Sequence, residues 1–212
     1  MRQLVLDIRP DRQPALERFV VGRNTELLAQ LEAIRDERAP ERMVYLWGAA
    51  GSGKSYLLAA WGNACLDAGL RVGESDEAEV LIFDGADDWS AERQREIFAR
   101  YNHARERGAG FVAAGRRPPA ELAMLPDLRT RLGWGLVFQL QPLDDADKRA
   151  ALIEHAQGLG FTLEPGLADY LLTHAPRDPR SLLETVDALD RLSLSTRRPV
   201  TLPLLKSLLA AR

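Results

Sequence analysis

Met43-Val-Tyr-Leu-Trp47, followed at once by Gly48-Ala-Ala-Gly-Ser-Gly53-Lys54-Ser55, is the stretch that decides the fold. A continuous apolar run of this length suits a strand buried on both faces, as in a parallel sheet. The residues after it fit G-x-x-x-x-G-K-[S/T] without a mismatch, and Ser55 to about Ala68 then reads as a helix that stops at Gly69. Strand, glycine-rich turn and helix in this order make a phosphate cradle. Glycines let the backbone curl so that successive N–H groups point at phosphate oxygens, and the helix N-terminus adds its dipole. In this pattern the lysine, Lys54, reaches the β- and γ-phosphates and the Ser55 hydroxyl takes a Mg²⁺ site. Lysine occurs only at 54, 148 and 206, so its place in the motif is not a product of abundance. Gly48, Ala50, Gly51, Ser52, Gly53, Lys54, Ser55 and Tyr56 are the candidate nucleotide contacts.

Working outward, Val80-Leu-Ile-Phe83 is a second buried strand that ends in Asp84. An acid there is placed to hold the Mg²⁺ shell; the competing reading is a turn residue beside Gly85. Hydrolysing enzymes of this type usually carry a second acid just after the first, and here that position is Gly85, with Asp87 and Asp88 further on. Phe111-Val-Ala-Ala114 and Leu136-Val-Phe-Gln-Leu140 are two more strands. Asn24 is placed to cap a helix running to about Arg38. Ser90 to Arg107 reads as a helix with Ile97, Phe98, Tyr101 and Ala104 inward and Gly108 as its stop. Strands alternating with helices imply a parallel sheet covered on both faces. From Pro142 onward only helices are legible. They start after Asp144, after Glu164, at the cap-and-proline pair Asp178-Pro179, and near Thr201. The expected division is an arm over 1–18, an α/β core over 19–141 and a small all-α domain over 142–212.

Composition excludes several classes. The 212 residues carry 28 Lys+Arg and 31 Asp+Glu, and a net charge of −3 gives no global field for nucleic acid. No apolar run reaches the ~20 residues that span a bilayer, so no membrane role is expected. The single cysteine, Cys65, forms no internal disulfide, and the N-terminus lacks a secretory pattern, so a cytoplasmic location is expected. His103, His155 and His174 show no metal-ligand spacing, and Trp47, Trp61, Trp89 and Trp134 read as packing residues.

Four further segments carry a family resemblance. They are Phe19-Val20-Val21-Gly22-Arg-Asn24, Gly115-Arg-Arg-Pro118-Pro119, Leu128-Arg129-Thr-Arg131-Leu-Gly-Trp134-Gly135 and Arg177-Asp-Pro-Arg180. With the phosphate loop they resemble the DnaA-related AAA+ proteins, and within these the Hda family, regulatory inactivators of DnaA. The resemblance implies a five-stranded parallel P-loop core with a small helical lid. It places Val20 and Val21 beside the adenine, Arg180 on the nucleotide from the lid, and Arg131 as an arginine finger acting on a neighbouring subunit. For Arg131 the alternative is a surface ion pair with nearby carboxylates. For Arg180 it is an exposed first-turn helix residue.

The resemblance runs no further than the lid, so the DNA-binding helix-turn-helix of DnaA is not expected. Gln3-Leu4-Val5-Leu6-Asp7-Ile8 is similar to the peptide by which Hda proteins bind the replicative sliding clamp, the DNA polymerase III beta subunit. An extended peptide can place Leu4, Leu6 and Ile8 in an apolar pocket while Gln3 makes polar contacts. The alternation also fits an edge strand of the core. The function implied is negative regulation of replication initiation: the protein holds ADP (or ATP) with Mg²⁺, binds the DNA-loaded clamp, touches DNA only through it, and stimulates hydrolysis of DnaA-bound ATP.

Three departures bear on catalysis. Gly85 replaces the second acid, Arg116 replaces the acid after the sensor strand, and the Gly69–Glu79 connection is short. All three point to weak or no intrinsic ATPase. The alternative is an autonomous AAA+ ATPase acting as a helicase-loader-like protein. A finger and a lid also leave open a nucleotide-dependent homodimer.

Overall fold

The structure, a computed structural model, describes residues 13–176 and 178–210. The Gln3, Leu4, Leu6 and Ile8 reading therefore lies outside the described residues. The chain divides after Pro142.

In the first unit, helix α1 (Thr25–Arg35) leads to β1 (Met43–Trp47), α2 (Lys54–Asp67), β2 (Val72–Gly73) and β3 (Val80–Phe83). Then follow α3 (Ala91–Arg107), β4 (Gly110–Gly115), α4 (Pro126–Trp134) and β5 (Leu136–Gln139). The five strands form one sheet in the order β2-β3-β4-β1-β5, and every pairing is parallel. β1 is therefore flanked by β4 (Val44 beside Val112) and by β5 (Val44 beside Leu136).

Alternation along the strands sends successive side chains to opposite faces. Tyr45, Leu81, Phe83, Phe111 and Ala113 pack with Ile97, Tyr101 and Ala104 of α3 and Leu128 and Leu132 of α4. Val44, Leu46, Val80, Val112 and Ala114 pack on the other face with Leu27, Leu31 and Ile34 of α1 and Leu57, Leu58, Trp61 and Cys65 of α2. The Trp61 indole N–H donates to the Leu31 carbonyl at 2.9 Å, so its one polar group is satisfied inside the core. Burial pushes the Cys65 thiol up to about 12, which leaves it unreactive.

The structure corrects several sequence expectations. β2 is a fifth strand inside the stretch read as a connection. α4 occupies a segment read only for its motif. α1 ends at Arg35 rather than Arg38. Asn24 is not a side-chain cap. Its buried amide donates to the Val21 and Gln141 carbonyls at 3.0 and 3.1 Å and accepts from the Gln141 N–H at 2.7 Å, tying the segment before α1 to the end of the core.

Gly135 joins α4 to β5 where no side chain fits. A Cβ there would stand 2.1 Å from the Met43 carbonyl oxygen, a backbone atom that cannot yield without breaking the sheet. Gly135→Ala is expected to destabilise the protein by about 3 kcal/mol or more, read as a drop in urea midpoint at unchanged slope.

The second unit is all helical: α5 (Asp145–Gly158), α6 (Pro165–His174), α7 (Pro179–Thr196) and α8 (Leu202–Ala210). Asp144 caps α5 in a reciprocal capping box, and the Asp178 carboxylate accepts from the Ser181 N–H at the start of α7. Leu152, Leu163, Leu171, Leu182, Val186, Leu189 and Leu205 form its core. Among the described residues no helix is long and apolar enough to cross a membrane.

Candidate functional site

β1 delivers the chain to Gly48 at the carboxyl end of the sheet, and α2 leaves it at Lys54. Between them Gly53 has φ +98, a conformation that favours glycine, and it occupies the N-cap position of α2. Having no side chain, it leaves the N–H groups of the first helical turn, Lys54, Ser55 and Tyr56, aimed into the loop. Phe19 borders the loop, its ring 3.7 Å from where a Gly53 Cβ would stand. Val20 and Val21, the residues expected at the adenine, follow it and are half-buried.

Lys54 is buried. Its ammonium donates to the Gly48 and Ala49 carbonyls at 2.8 Å each and to Ser52 Oγ at 3.2 Å. Burial pulls its pKa down from the ordinary lysine value, partly countered by Asp84 and Asp87. Among the described residues no carboxylate lies within ion-pair distance of it. A buried cation resting on neutral oxygens is an electrostatic invitation to an anion.

Ser55 Oγ donates to Asp84 Oδ2 at 2.5 Å, and Asp84 Oδ1 accepts from the Gly85 N–H at 2.8 Å. A hydroxyl and a carboxylate side by side are hard oxygen donors of the kind Mg²⁺ prefers. Among the described residues no cluster of three or more His, Cys, Asp and Glu side chains could hold a metal. Ser55 and Asp84 would therefore hold a cation together with phosphate oxygens rather than alone, as such sites usually do. The residues present fit both groups. Tyr56 turns its side chain elsewhere, its hydroxyl donating to the Ala15 carbonyl at 3.2 Å.

The position next to Asp84 shows why an acid is missing there. Gly85 has φ +72, and this left-handed step starts the short turn Ala86–Asp88. The turn carries Asp87 back to the end of β4, a reach that sequence spacing did not suggest. The Asp87 side chain is almost fully buried, accepts from the Arg116 N–H, and pairs with Arg117 Nε at 2.8 Å. Arg116 Nη2 holds Asp88 at 2.7 Å. Burial alone would raise the Asp87 carboxyl, but these donors outweigh it and hold the group below the ordinary carboxylate value. The signal that could have revealed this network is the pairing of two adjacent acids with two adjacent arginines.

Arg131 lies in the last turn of α4. Among the described residues it makes no ion pair. Its Cζ instead lies 4.1 Å from the centroid of the Trp134 ring. Trp134 is 57% exposed, so it is not the packing residue its composition suggested. Arg180, in the helical unit, is exposed and pairs with Glu184 at 2.8 Å.

A family model described as "Hda, lid domain" matches residues 145–209. Domain III of the Thermotoga maritima replication initiation protein DnaA aligns at 21% identity and a TM-score of 0.78, covering 96% of this chain and 97% of that one. AMPPCP-bound DnaA from Aquifex aeolicus aligns at 21% identity and 0.73, covering 87% and 68%. The Thermotoga maritima RuvB Holliday junction branch migration motor shares the fold at 15% identity and 0.68, covering 94% and 72%. Residues 145–209 thus match the Hda lid-domain model, and the chain as a whole has the fold of DnaA domain III, a parallel five-stranded α/β core followed by a helical unit.

Proposed function

We propose that this protein is a negative regulator of replication initiation that acts on DnaA. It holds ADP or ATP at residues 48–56, beside Val20 and Val21, and Arg180 is the lid residue that the family resemblance assigns to the nucleotide. It binds the DNA-loaded sliding clamp through Gln3, Leu4, Leu6 and Ile8. It offers Arg131 to the nucleotide of a DnaA neighbour and leaves DnaA in its ADP form.

The observation that carries this reading is the separation of the finger from its own loop. α4 delivers the chain to Gly135, beside Met43 at the start of β1, whereas the loop begins after Trp47 at the other end. The length of β1, about 15 Å, lies between Gly135 and the loop, and Arg131 stands one helical turn before Gly135. A guanidinium at that end serves a triphosphate held by another subunit, where it neutralises charge developing on the γ-phosphate. Bound Mg²⁺, held by Ser55 and Asp84, would supply charge neutralisation on this chain's own nucleotide. Asp87, spent on Arg116 and Arg117, is not free to orient a water. This favours a regulator with weak or no ATPase of its own over an autonomous helicase-loader-like ATPase.

Turnover measured with the protein alone, with DnaA, and with DnaA plus loaded clamp separates the readings. Stimulation is expected only with DnaA, strongest with clamp. Gln3→Ala combined with Leu4→Ala is expected to lower clamp affinity by about 100-fold, consistent with loss of anchor residues. Steady turnover by the protein alone would favour the autonomous ATPase, and unchanged clamp affinity in the double variant would remove the arm from clamp binding.

A further inference from the structure

We infer that Trp134 is a positioning residue for Arg131: its ring face holds the guanidinium extended and ready for a partner's phosphate. This rests on the finger reading above. The two residues are three apart on α4, so their side chains share a face. The guanidinium carbon sits 4.1 Å from the ring centroid, within cation–π range.

The core does not require this tryptophan. Leu128 and Leu132 anchor α4 and are fully buried, at 0% and 2% exposure, while Trp134 stands 57% exposed. The backbone that carries the ring is nonetheless constrained at both ends. Pro126 starts the helix, and Gly135, which tolerates no Cβ against Met43, fixes its exit. The choice of an aromatic face over a carboxylate has a chemical consequence. A carboxylate would occupy two of the guanidinium's five N–H donors and cancel its charge. A ring face holds the group through its π electrons and leaves the donors and the charge available to phosphate oxygens.

The test compares stimulated single-turnover hydrolysis of DnaA-bound ATP across a short series, at saturating protein and with loaded clamp. Trp134→Ala and Trp134→Leu are each expected to lower the maximal rate by about tenfold. Trp134→Phe, which keeps a π face, is expected to stay within about threefold of wild type. All three are expected to unfold near the wild-type temperature because the site is exposed. A Trp134→Leu protein as active as wild type would overturn the proposal and make the residue an apolar contact. A change confined to the concentration giving half-maximal rate would overturn it likewise. Arg131→Ala is run beside them. If it is inactive while Trp134→Ala is fully active, the positioning role alone fails; if it is fully active, the finger reading fails and takes this inference with it.

Discussion

Arg131→Ala is expected to lower the stimulated rate of DnaA-bound ATP hydrolysis by about a thousandfold, while nucleotide and clamp affinities stay within about twofold of wild type. The magnitude follows from what an arginine finger does elsewhere: a guanidinium at the developing charge contributes ~10³–10⁵ in rate. The selectivity follows from geometry. Arg131 leaves α4 at the amino end of the strands and makes no ion pair among the described residues, so its removal costs little folding energy. The phosphate loop begins at the other end of β1 and does not depend on it. Lysine is a poor substitute, because a compact ammonium neither stacks as a plane on Trp134 nor presents a fork to phosphate. Arg131→Lys is therefore expected to recover only a minor part of the loss. Quenched-flow measurement of the stimulated step checks both values, and a rate within threefold of wild type for Arg131→Ala would exclude the residue from the mechanism.

Lys54→Ala is expected to weaken binding of ADP and ATP by about 100-fold or more. Removing one member of a buried, charge-assisted contact costs ~2–5 kcal/mol, which is roughly 30- to 5,000-fold in affinity. The ammonium of Lys54 already lies in the loop, 2.8 Å from two carbonyl oxygens, and its burial has already been met in the free protein. A phosphate therefore meets a preorganised cation. The same substitution removes ligand stabilisation: wild-type protein at 100 Kd of nucleotide gains about 2.7 kcal/mol, and the variant gains nearly none at that concentration. Calorimetric titration and a thermal shift with and without ADP check the two effects. An affinity within threefold of wild type would place phosphate binding elsewhere.

The parts of the fold legible in the sequence are those fixed by local physics. β1 and β3 appear residue for residue because a strand buried on both faces is a continuous apolar run. α3 is bounded by Ser90, whose side chain accepts from the Arg93 N–H, and by Gly108 at φ +69, and α7 by Asp178 and Pro179. Elements that depend on distant partners were not legible. β2 is only Val72 and Gly73, too short for any period, and is a strand because it pairs with Val80 and Leu81. Asn24 has the type of a cap, yet its amide joins Gln141, 117 residues away. The loop residues around Lys54 declared themselves through spacing alone. The Asp87–Arg117 contact and the Arg131–Trp134 stack did not. The first spans 30 residues, and the second hides in an aromatic residue that reads as core until its exposure is known.

The most direct measurement places γ-labelled ATP on DnaA alone, removes free nucleotide, and follows label release after adding this protein and clamp-loaded DNA. Release from DnaA is expected to accelerate by at least about 1,000-fold, with no release when the label is instead carried by this protein and DnaA is absent. Equal release of label carried by this protein alone, or no acceleration of release from DnaA, would contradict a regulator acting on its neighbour's nucleotide.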